Sequence, residues 1–350
     1  MLVVFVHLGA NPSPCLNEMA QIAKHHSTSA QVVLITDKPE LHPHFPGEIV
    51  EYSRKSHNPW FESFSKRRKE LSEIAGGYWS HTLERLFALA AIYELLGDRM
   101  LVHVESDVYL NLDQETLSGI TRDKSKILVP RYSSELGIAS VLLARDKYVL
   151  SNGLNELKRL LIEDVELNSD MNLLGAALNL GVFEELPSNP NFPLVLEKKE
   201  FGPTQFIFDG AALGQYFFGQ DPFHTNGRRI SGYVNPDAKF DSSRFHYEIR
   251  RSYQNDQNAL FVDDIEVLNL HVHSKLKLTP VDLKDQIWAR SVKEANHQID
   301  RTPDDFRPDV IHTQKISLVN RFRIARRRGL INSTVKSIHR RARKALGTHE

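Results

Sequence analysis

Leu101-Val-His-Val-Glu-Ser-Asp-Val-Tyr-Leu110 is the stretch that decides the fold of this chain, because an apolar run ends there in two acids one residue apart. On an extended segment, residues i and i+2 point to the same side, so Glu105 and Asp107 can face one point. Two carboxylates at the end of a buried strand are costly unless a cation lies between them. Oxygen ligands of this kind suit magnesium or manganese. The alternative is a solvated turn or a helix cap.

The N-terminal region predicts the sheet to which this strand belongs. Residues 3–8 and 31–36 are short apolar runs rich in β-branched residues, and a polar stretch of helical length separates them. This β-α-β pattern predicts parallel strands with a right-handed crossover. Ligands of such sheets gather at the carboxyl ends of the strands, so His7, Gly9 and Asp37 are candidate nucleotide contacts. Asp37 can also be a simple turn former.

A helix is predicted directly before the acidic stretch. From Ser80 the apolar residues have helical spacing, and Gly97-Asp98 ends the pattern. Arg85 lies among these apolar residues. A guanidinium there either reaches a phosphate or base of a donor, or it pairs with an acid.

The chain after the acidic stretch predicts more sheet and helix. Ser169 or Asp170 is placed to cap a helix. The segment after that helix, up to Pro203, contains several prolines and predicts an irregular loop over the active site. Two strands are predicted at residues 126–130 and 138–144, and two helices at residues 148–162 and 171–180.

Residues 208–222, Phe-Asp-Gly-Ala-Ala-Leu-Gly-Gln-Tyr-Phe-Phe-Gly-Gln-Asp-Pro, are rich in glycine and other small residues. Glycine costs a helix about 1 kcal/mol relative to alanine, so this density suggests that the backbone closely approaches a ligand. Asp209, Gln215 and Tyr216 can then hydrogen-bond the hydroxyls of a sugar. The alternative is that Gly214 and Gly219 only allow tight packing.

Residues 267–275, Val-Leu-Asn-Leu-His-Val-His-Ser-Lys, place two histidines at the end of another apolar run. The imidazoles of His271 and His273 can face one side of a strand, and neutral imidazole binds manganese. Lys275 is placed to meet the charge of a diphosphate. A lone histidine is more often structural, but this cluster is uncommon by chance.

Taken in order, these motifs resemble the metal-dependent nucleotide-sugar glycosyltransferases of the GT-A fold across residues 1–280. The DxD motif of that family is here Glu105-Ser106-Asp107, in which the first acid departs from the usual Asp. The chain is similar in particular to bacterial transferases of surface-polysaccharide synthesis. The resemblance implies an α/β fold of the Rossmann-like nucleotide-diphospho-sugar transferase type, with a mixed, mainly parallel central sheet flanked by helices.

The resemblance also implies a role for each candidate residue. Glu105, Asp107 and His273 are the implied ligands of Mn²⁺ or Mg²⁺, with His271 as an alternate. General base catalysis is assigned to Asp170 or Asp209, because an acceptor hydroxyl needs a base within hydrogen-bond reach. Lys275 steadies the departing phosphate. The implied donor-binding residues are His7, Gly9, Asp37, Arg85, Ser106 and Lys275, and the implied acceptor-binding residues are Gln215 and Tyr216.

The implied reaction moves a sugar from a nucleotide-diphosphate donor, a UDP-sugar, to a glycan or lipid-linked acceptor in polysaccharide synthesis. A nucleotidyltransferase or a metal-dependent phosphohydrolase would share the acids but has no need of the Asp-Gly-Ala-Ala-x-Gly-Gln-Tyr segment. The remaining alternative is a noncatalytic adaptor that binds a membrane surface or a nucleic acid through its basic tail.

That tail follows from the uneven distribution of charge. The net charge is zero, but residues 315–344 carry eleven Lys or Arg and no acid, which leaves 33 basic against 44 acidic residues in the rest of the chain. Apolar residues lie between these charges, as in a basic amphipathic helix at an anionic membrane surface. A solvated helix packed on the body is the alternative, and we expect no nucleic-acid partner.

We therefore predict a GT-A catalytic domain over residues 1–280, with a donor-binding half (1–145) and an acceptor half (146–280). A helical basic extension follows at residues 281–350 and contacts the membrane through residues 315–346.

Composition and cysteine content predict the compartment. The composition is that of an ordinary globular protein, which argues against disordered and fibrous classes. The single cysteine, Cys15, fits a reducing compartment. The apolar start lacks a basic leader and predicts a strand instead of a signal peptide, and no apolar run approaches the length of a membrane span. We expect a cytoplasmic protein that is peripheral at the inner face of the cell membrane.

Overall fold

The computed structural model describes residues 1–53 except 12 and 28, residues 78–163, 169–219 and 232–272, and Lys293. The predicted boundary at residue 280, the predicted extension 281–350 apart from Lys293, and the candidates His273 and Lys275 lie outside these described residues. The strands are β1 (Leu2–His7), β2 (Gln31–Thr36), β3 (Glu48–Glu51), β4 (Leu101–Val104), β5 (Val108–Leu110), β6 (Leu128–Pro130), β7 (Val141–Ala144), β8 (Glu184–Leu186), β9 (Leu194–Lys198), β10 (Gly202–Ile207), β11 (Tyr247–Arg251), β12 (Asn258–Val262), β13 (Ile265–Val267) and β14 (Asn269–His271).

Helices flank these strands. Single 3-10 turns also occur at Pro39–Leu41, Leu89–Ile92 and Ser242–Arg244. The described α-helices are α1 (Leu16–His26), α2 (Tyr78–Ala88), α3 (Tyr93–Leu96), α4 (Gln114–Thr121), α5 (Lys147–Glu163), α6 (Asp170–Asn179) and α7 (Ala212–Phe218). None of the described helices is long and apolar enough to cross a membrane.

The central sheet has seven strands in the order β3-β2-β1-β4-β7-β6-β8. Strand β1 pairs in parallel with β2 and β4, whereas β7 is antiparallel to both β4 and β6. The pairs β2/β3 and β6/β8 are also parallel. The predicted class, α/β with a mixed and mainly parallel central sheet, is therefore confirmed, and so is the predicted β-α-β start.

Both faces of this sheet are covered, which explains why β1 is apolar at every position instead of alternating. Val3 and Phe5 pack in one core with Met19 of α1. Leu2 and Val4 point the other way and pack in a second core with Leu83 of α2. Successive side chains of a strand point to opposite faces, so one apolar run joins two layers of helices to the sheet.

A second sheet, in the order β11-β12-β13-β10-β9, packs into the same core as α1. Its last two strands form an antiparallel hairpin. The prediction of an irregular loop up to Pro203 is therefore wrong for this part. The sequence does carry a period of two, because half-buried Leu194 and Leu196 alternate with exposed Val195 and Glu197.

A small two-stranded ladder of β5 and β14 lies beside the end of the central sheet. The two strands are antiparallel, with His271 opposite Val108 and Asn269 opposite Leu110. This pairing joins two segments that lie far apart in the chain. It brings the predicted histidine segment next to the predicted acidic segment.

Candidate active site

Glu105, Ser106 and Asp107 form a tight turn between β4 and β5. The N–H group of Val108 donates to the carbonyl oxygen of Glu105 at 3.1 Å, which closes the turn. The prediction that the two acids lie on one extended segment is therefore wrong. The chain turns because β4 belongs to the central sheet, whereas β5 pairs with β14. The turn is not a solvated one, since Asp107 is only 4% exposed.

His271 faces this turn from β14. The N–H group of the next residue, Val272, donates to the carbonyl oxygen of Asp107 at 2.8 Å, so the end of β14 is held against the acidic turn. The imidazole Nε2 of His271 lies 3.4 Å from Oδ1 of Asp107 and 3.6 Å from Oε2 of Glu105.

Glu105, Asp107 and His271 thus form a group that can hold a metal ion. One ligand atom from each residue lies within 4.8 Å of the others. Two carboxylates and one imidazole are a donor set that suits Mn²⁺ or Mg²⁺. A buried Asp107 beside a half-buried Glu105 also favours a positive charge between the two carboxylates. The residues present therefore fit the divalent cation that the sequence predicts.

Arg85 of α2 joins this group to a third acid. Its Nη1 atom lies 2.5 Å from Oε1 of Glu105, and its Nη2 atom lies 2.9 Å from Oδ2 of Asp170. Of the two alternatives for Arg85, the pairing with acids is the one that these distances describe. One oxygen of Glu105 is held by the guanidinium, and its other oxygen faces His271.

Asp170 is the first residue of α6, and the cap of that helix is Ser169, whose Oγ accepts the N–H group of Asn172 at 3.1 Å. The carboxylate of Asp170 is therefore available to Arg85. Burial raises the pKa of Asp170, and the positive charge of Arg85 opposes that rise. The role of Asp170 as a general base stays a prediction.

Asp209 has a different environment. Its carboxylate accepts the backbone N–H groups of Leu213, Gly214 and His271 at 3.0, 2.9 and 3.0 Å. Burial raises the pKa of Asp209, and these hydrogen bonds oppose the rise. The carboxylate is committed to the backbone of two neighbouring segments. That arrangement favours a role in positioning over the predicted role as a base.

The predicted acceptor residues Gln215 and Tyr216 lie on α7, and both are buried. The ring of Tyr216 packs against Tyr247, with 5.6 Å between ring centroids. A Cβ atom at Gly214 would overlap the carbonyl oxygen of His271. Tight packing of α7 on β14 is therefore sufficient to explain Gly214.

Three of the predicted donor residues, His7, Gly9 and Asp37, lie where the sheet rule places them, at the carboxyl ends of β1 and β2. The N–H group of Gly9 donates to Oδ1 of Asp37 at 2.8 Å, and Gly9 has a positive φ of 102° that favours glycine. Asp37 thus shapes the loop after β1. Ser106, a fourth predicted donor contact, is part of the acidic turn.

Two histidines at this end of the sheet, His42 and His81, were not predicted from the sequence. The rings of His7 and His42 are 5.1 Å apart between centroids, in an edge-to-face arrangement. The Cε1 atom of His81 lies 3.9 Å from the position that a Cβ of Gly9 would occupy. Burial lowers the pKa of His7 to about 4, with a further contribution from His42. No motif or spacing in the sequence links these three residues.

No protein-family model matches the chain, and no curated protein matches its sequence significantly. Solved structures similar to the chain include the glycosyltransferase GlyE of Streptococcus pneumoniae TIGR4, at 17% identity and a TM-score of 0.32 over 53% of this chain. The match spans less than half, 44%, of the length of GlyE.

Two further solved structures are similar to the chain. Mouse xyloside xylosyltransferase 1 has 9% identity and a TM-score of 0.33, over 53% of this chain and 84% of its own. The galactosyltransferase LgtC, in complex with donor and acceptor sugar analogues, has 12% identity and a TM-score of 0.39, over 88% of this chain and 99% of its own. All three are glycosyltransferases, the class that the sequence resembles.

Proposed function

We propose that this protein is a metal-dependent glycosyltransferase of the GT-A type, which moves a sugar from a nucleotide-diphosphate donor to a glycan or lipid-linked acceptor in polysaccharide synthesis. The observation that carries the proposal is the group formed by Glu105, Asp107 and His271, whose ligand atoms lie within 4.8 Å of one another. This group lies at the carboxyl end of β4, where parallel sheets bind their ligands.

Glu105, Asp107 and His271 are the residues that would hold the divalent cation. When bound, that cation supplies charge stabilisation for the diphosphate oxygens as the sugar leaves. Arg85 orients Glu105 by holding one of its oxygens. In the proposal Lys275, outside the described residues, adds a second positive charge beside the leaving phosphate.

Asp170 is the residue that we propose for the proton of the acceptor hydroxyl, if the reaction inverts the anomeric centre. Its raised pKa makes it a better proton acceptor than an ordinary Asp, and Arg85 fixes the direction of its carboxylate. A UDP-sugar is the proposed donor, on the resemblance alone.

The proposal is tested by a thermal-shift screen of the purified protein with UDP, GDP, CMP, dTDP and ADP, each with and without Mn²⁺. A ligand present at a hundred times its Kd stabilises the native state by about 2.7 kcal/mol, which is readily seen as a shift in Tm. We expect one nucleotide to stabilise the protein, and only with Mn²⁺. No shift with any nucleotide would contradict the proposed donor class.

Two variants make the screen specific for the site. Asp107→Asn should abolish the Mn²⁺-dependent shift with the fold intact. Asp113→Asn is the matched control, because Asp113 lies beyond the other end of β5, where its side chain caps α4 by accepting the N–H group of Thr116 at 2.7 Å. It should lower Tm slightly and keep the nucleotide shift. Equal shifts in the unaltered protein and in Asp107→Asn would contradict the metal site.

A phosphohydrolase with the same metal ligands is separated from a transferase by turnover. A transferase consumes its donor much faster when acceptor is present. A hydrolase consumes the donor equally with and without acceptor. The adaptor alternative predicts no turnover and no effect of Asp107→Asn on binding to a membrane.

We extend the proposal to the location of the protein. Residues 315–346, outside the described residues, combine eleven basic residues with interleaved apolar ones, which supports attachment to the anionic inner face of the cell membrane. Lipid-linked acceptors would be present at that surface.

A further inference from the structure

We infer that Asp209 is a positioning residue, which holds β14 in the register that keeps His271 at the acidic turn. Its consequence for metal binding rests on the proposed function. The hydrogen bonds that support the inference are present in the structure whatever the function of the site. Asp209 would act through His271 and would not itself touch the substrate.

The carboxylate of Asp209 joins two backbone segments. Leu213 and Gly214 donate from the first turn of α7, and His271 donates from the end of β14. All three partners are N–H donors, so the carboxylate acts only as an acceptor. At 1% exposure, water does not replace these bonds.

The backbone of Asp209 makes a second connection to the same strand. Its N–H group donates to Oδ1 of Asn269 at 2.9 Å, and Nδ2 of Asn269 donates back to the carbonyl oxygen of Asp209 at 3.4 Å. Asn269 is two residues before His271 on β14. Both ends of this three-residue strand are therefore bonded to Asp209.

The segment around Asp209 is packed without spare room. A Cβ atom at Gly214 would overlap the carbonyl oxygen of His271, and one at Gly210 would lie too close to the carbonyl oxygen of Arg131. Between them, Ala211 has a φ of +80°, a conformation that L residues rarely adopt. Such a conformation is strained and persists only when its surroundings hold it in place.

Strand β14 needs an anchor because its own strand pairing is short. The strand has only three residues, and its ladder partner β5 is equally short. Metal–ligand distances are correct only within about 0.2 Å, so a small shift of β14 would misplace the imidazole of His271. Asp209 and Gly214 hold the strand from the side opposite to the acidic turn, and Val272 holds it on the turn side through the carbonyl oxygen of Asp107.

The test compares two site variants with two matched controls. Asp209→Asn replaces one acceptor oxygen by an NH2 group, and Gly214→Ala pushes directly on the carbonyl oxygen of His271. Asp146→Asn is the first control, since Asp146 accepts the N–H groups of Tyr148 and Val149 at the start of α5. Asp146 follows β7, at the end of the central sheet opposite to the end where Glu105 lies.

Gly47→Ala is the second control. A Cβ atom there would overlap the backbone carbonyl oxygen of Val32, which is the same kind of clash as at Gly214 but lies directly before β3, at the end of the central sheet away from Glu105. Two quantities are measured for all five proteins: the affinity for Mn²⁺, from the electron paramagnetic resonance of the free ion, and the hydrogen-exchange rate of the His271 amide in metal-free protein, from NMR.

Both site variants should bind Mn²⁺ at least about tenfold more weakly, as is usual when a group that orients a metal ligand is lost. The His271 amide should also exchange faster in Asp209→Asn. Both controls should lower Tm while leaving the Mn²⁺ affinity and the His271 amide unchanged. Folded site variants with the affinity and exchange rate of the unaltered protein would overturn the inference.

The two readouts separate failure of the inference from failure of the proposed function. If the unaltered protein binds no Mn²⁺, the proposed metal site fails, and exchange of the His271 amide alone decides the role of Asp209. If Asp209→Asn does not fold, the unaltered protein still provides a test. A His271 amide that exchanges as fast as an exposed one would overturn the inference without any variant.

Discussion

Replacing Arg85 by methionine removes the guanidinium between Glu105 and Asp170 and keeps most of the apolar stem. The three side chains are only 15%, 14% and 7% exposed, so solvent cannot replace the lost charge. Removing one partner of a buried ion pair costs about 3–5 kcal/mol, because the remaining charge is left buried without compensation. We expect a loss of that size in the free energy of unfolding near neutral pH.

The pH dependence of this loss gives the prediction a sign. The folded-state pKa of Asp170 is raised above its ordinary value of 3.8, so its contribution to stability is full below that value and is lost as the pH rises through the folded pKa. Arg85 is the group that limits this rise. In Arg85→Met the gap between the folded and unfolded pKa values widens, so the destabilisation should be largest at neutral pH and shrink in mild acid.

Urea unfolding followed by far-UV circular dichroism, near neutral pH and in mild acid, measures both quantities. Arg159→Met is the matched control, because Arg159 also pairs with two acids, Glu156 and Glu163, but is 49% exposed on α5. Exposed pairs of that kind contribute little to stability because water screens them. If Arg85→Met costs no more than Arg159→Met, or costs the same at both pH values, the assignment of Arg85 as the charge that compensates the acidic site is wrong.

Three further predictions concern His103 on β4, the proposed metal ligand Asp107, and the basic residues 315–350. Burial lowers the pKa of His103, on β4, from 6.5 to about 4. This shift corresponds to about 3 kcal/mol of stability that is present above pH 6.5 and is lost as the pH falls towards 4. The free energy of unfolding, measured against pH, should therefore depend less on pH in His103→Gln. Asp107→Asn should bind nucleotide equally with and without Mn²⁺ in calorimetry, while Asp113→Asn keeps the metal effect of the unaltered protein. Deleting residues 315–350 should release the protein from anionic vesicles in a sedimentation assay and leave turnover of a soluble acceptor unchanged; vesicle binding that survives the deletion contradicts the proposed role of the tail.

The sequence by itself determined the mixed α/β class and the positions of β1, β2, β4, β6, β7, α1, α2, α5 and α6, because these follow from local patterns. It did not predict the second sheet. Strands β1 and β2 are buried on both faces. Such strands have uninterrupted apolar sequences, which can be recognised without knowledge of the rest of the fold. The period of α5 and the Ser169 cap of α6 are equally local. The acids of the site were also visible, since a carboxylate pair after an apolar strand needs no knowledge of its partners.

Only the tertiary structure decided how these residues meet. The turn at Glu105–Asp107 exists because β5 leaves the central sheet to pair with β14, and nothing local to the acids encodes that distant partner. The same pairing selects His271 as a neighbour of Asp107, and the packing of α2 and α6 selects Asp170 as the partner of Arg85. Asp209 lies in a segment rich in glycine and other small residues, and the sequence predicted it as a possible base. In the structure, three backbone N–H groups donate to its carboxylate. Contacts between distant segments depend on register and packing, which arise only when the whole core is assembled.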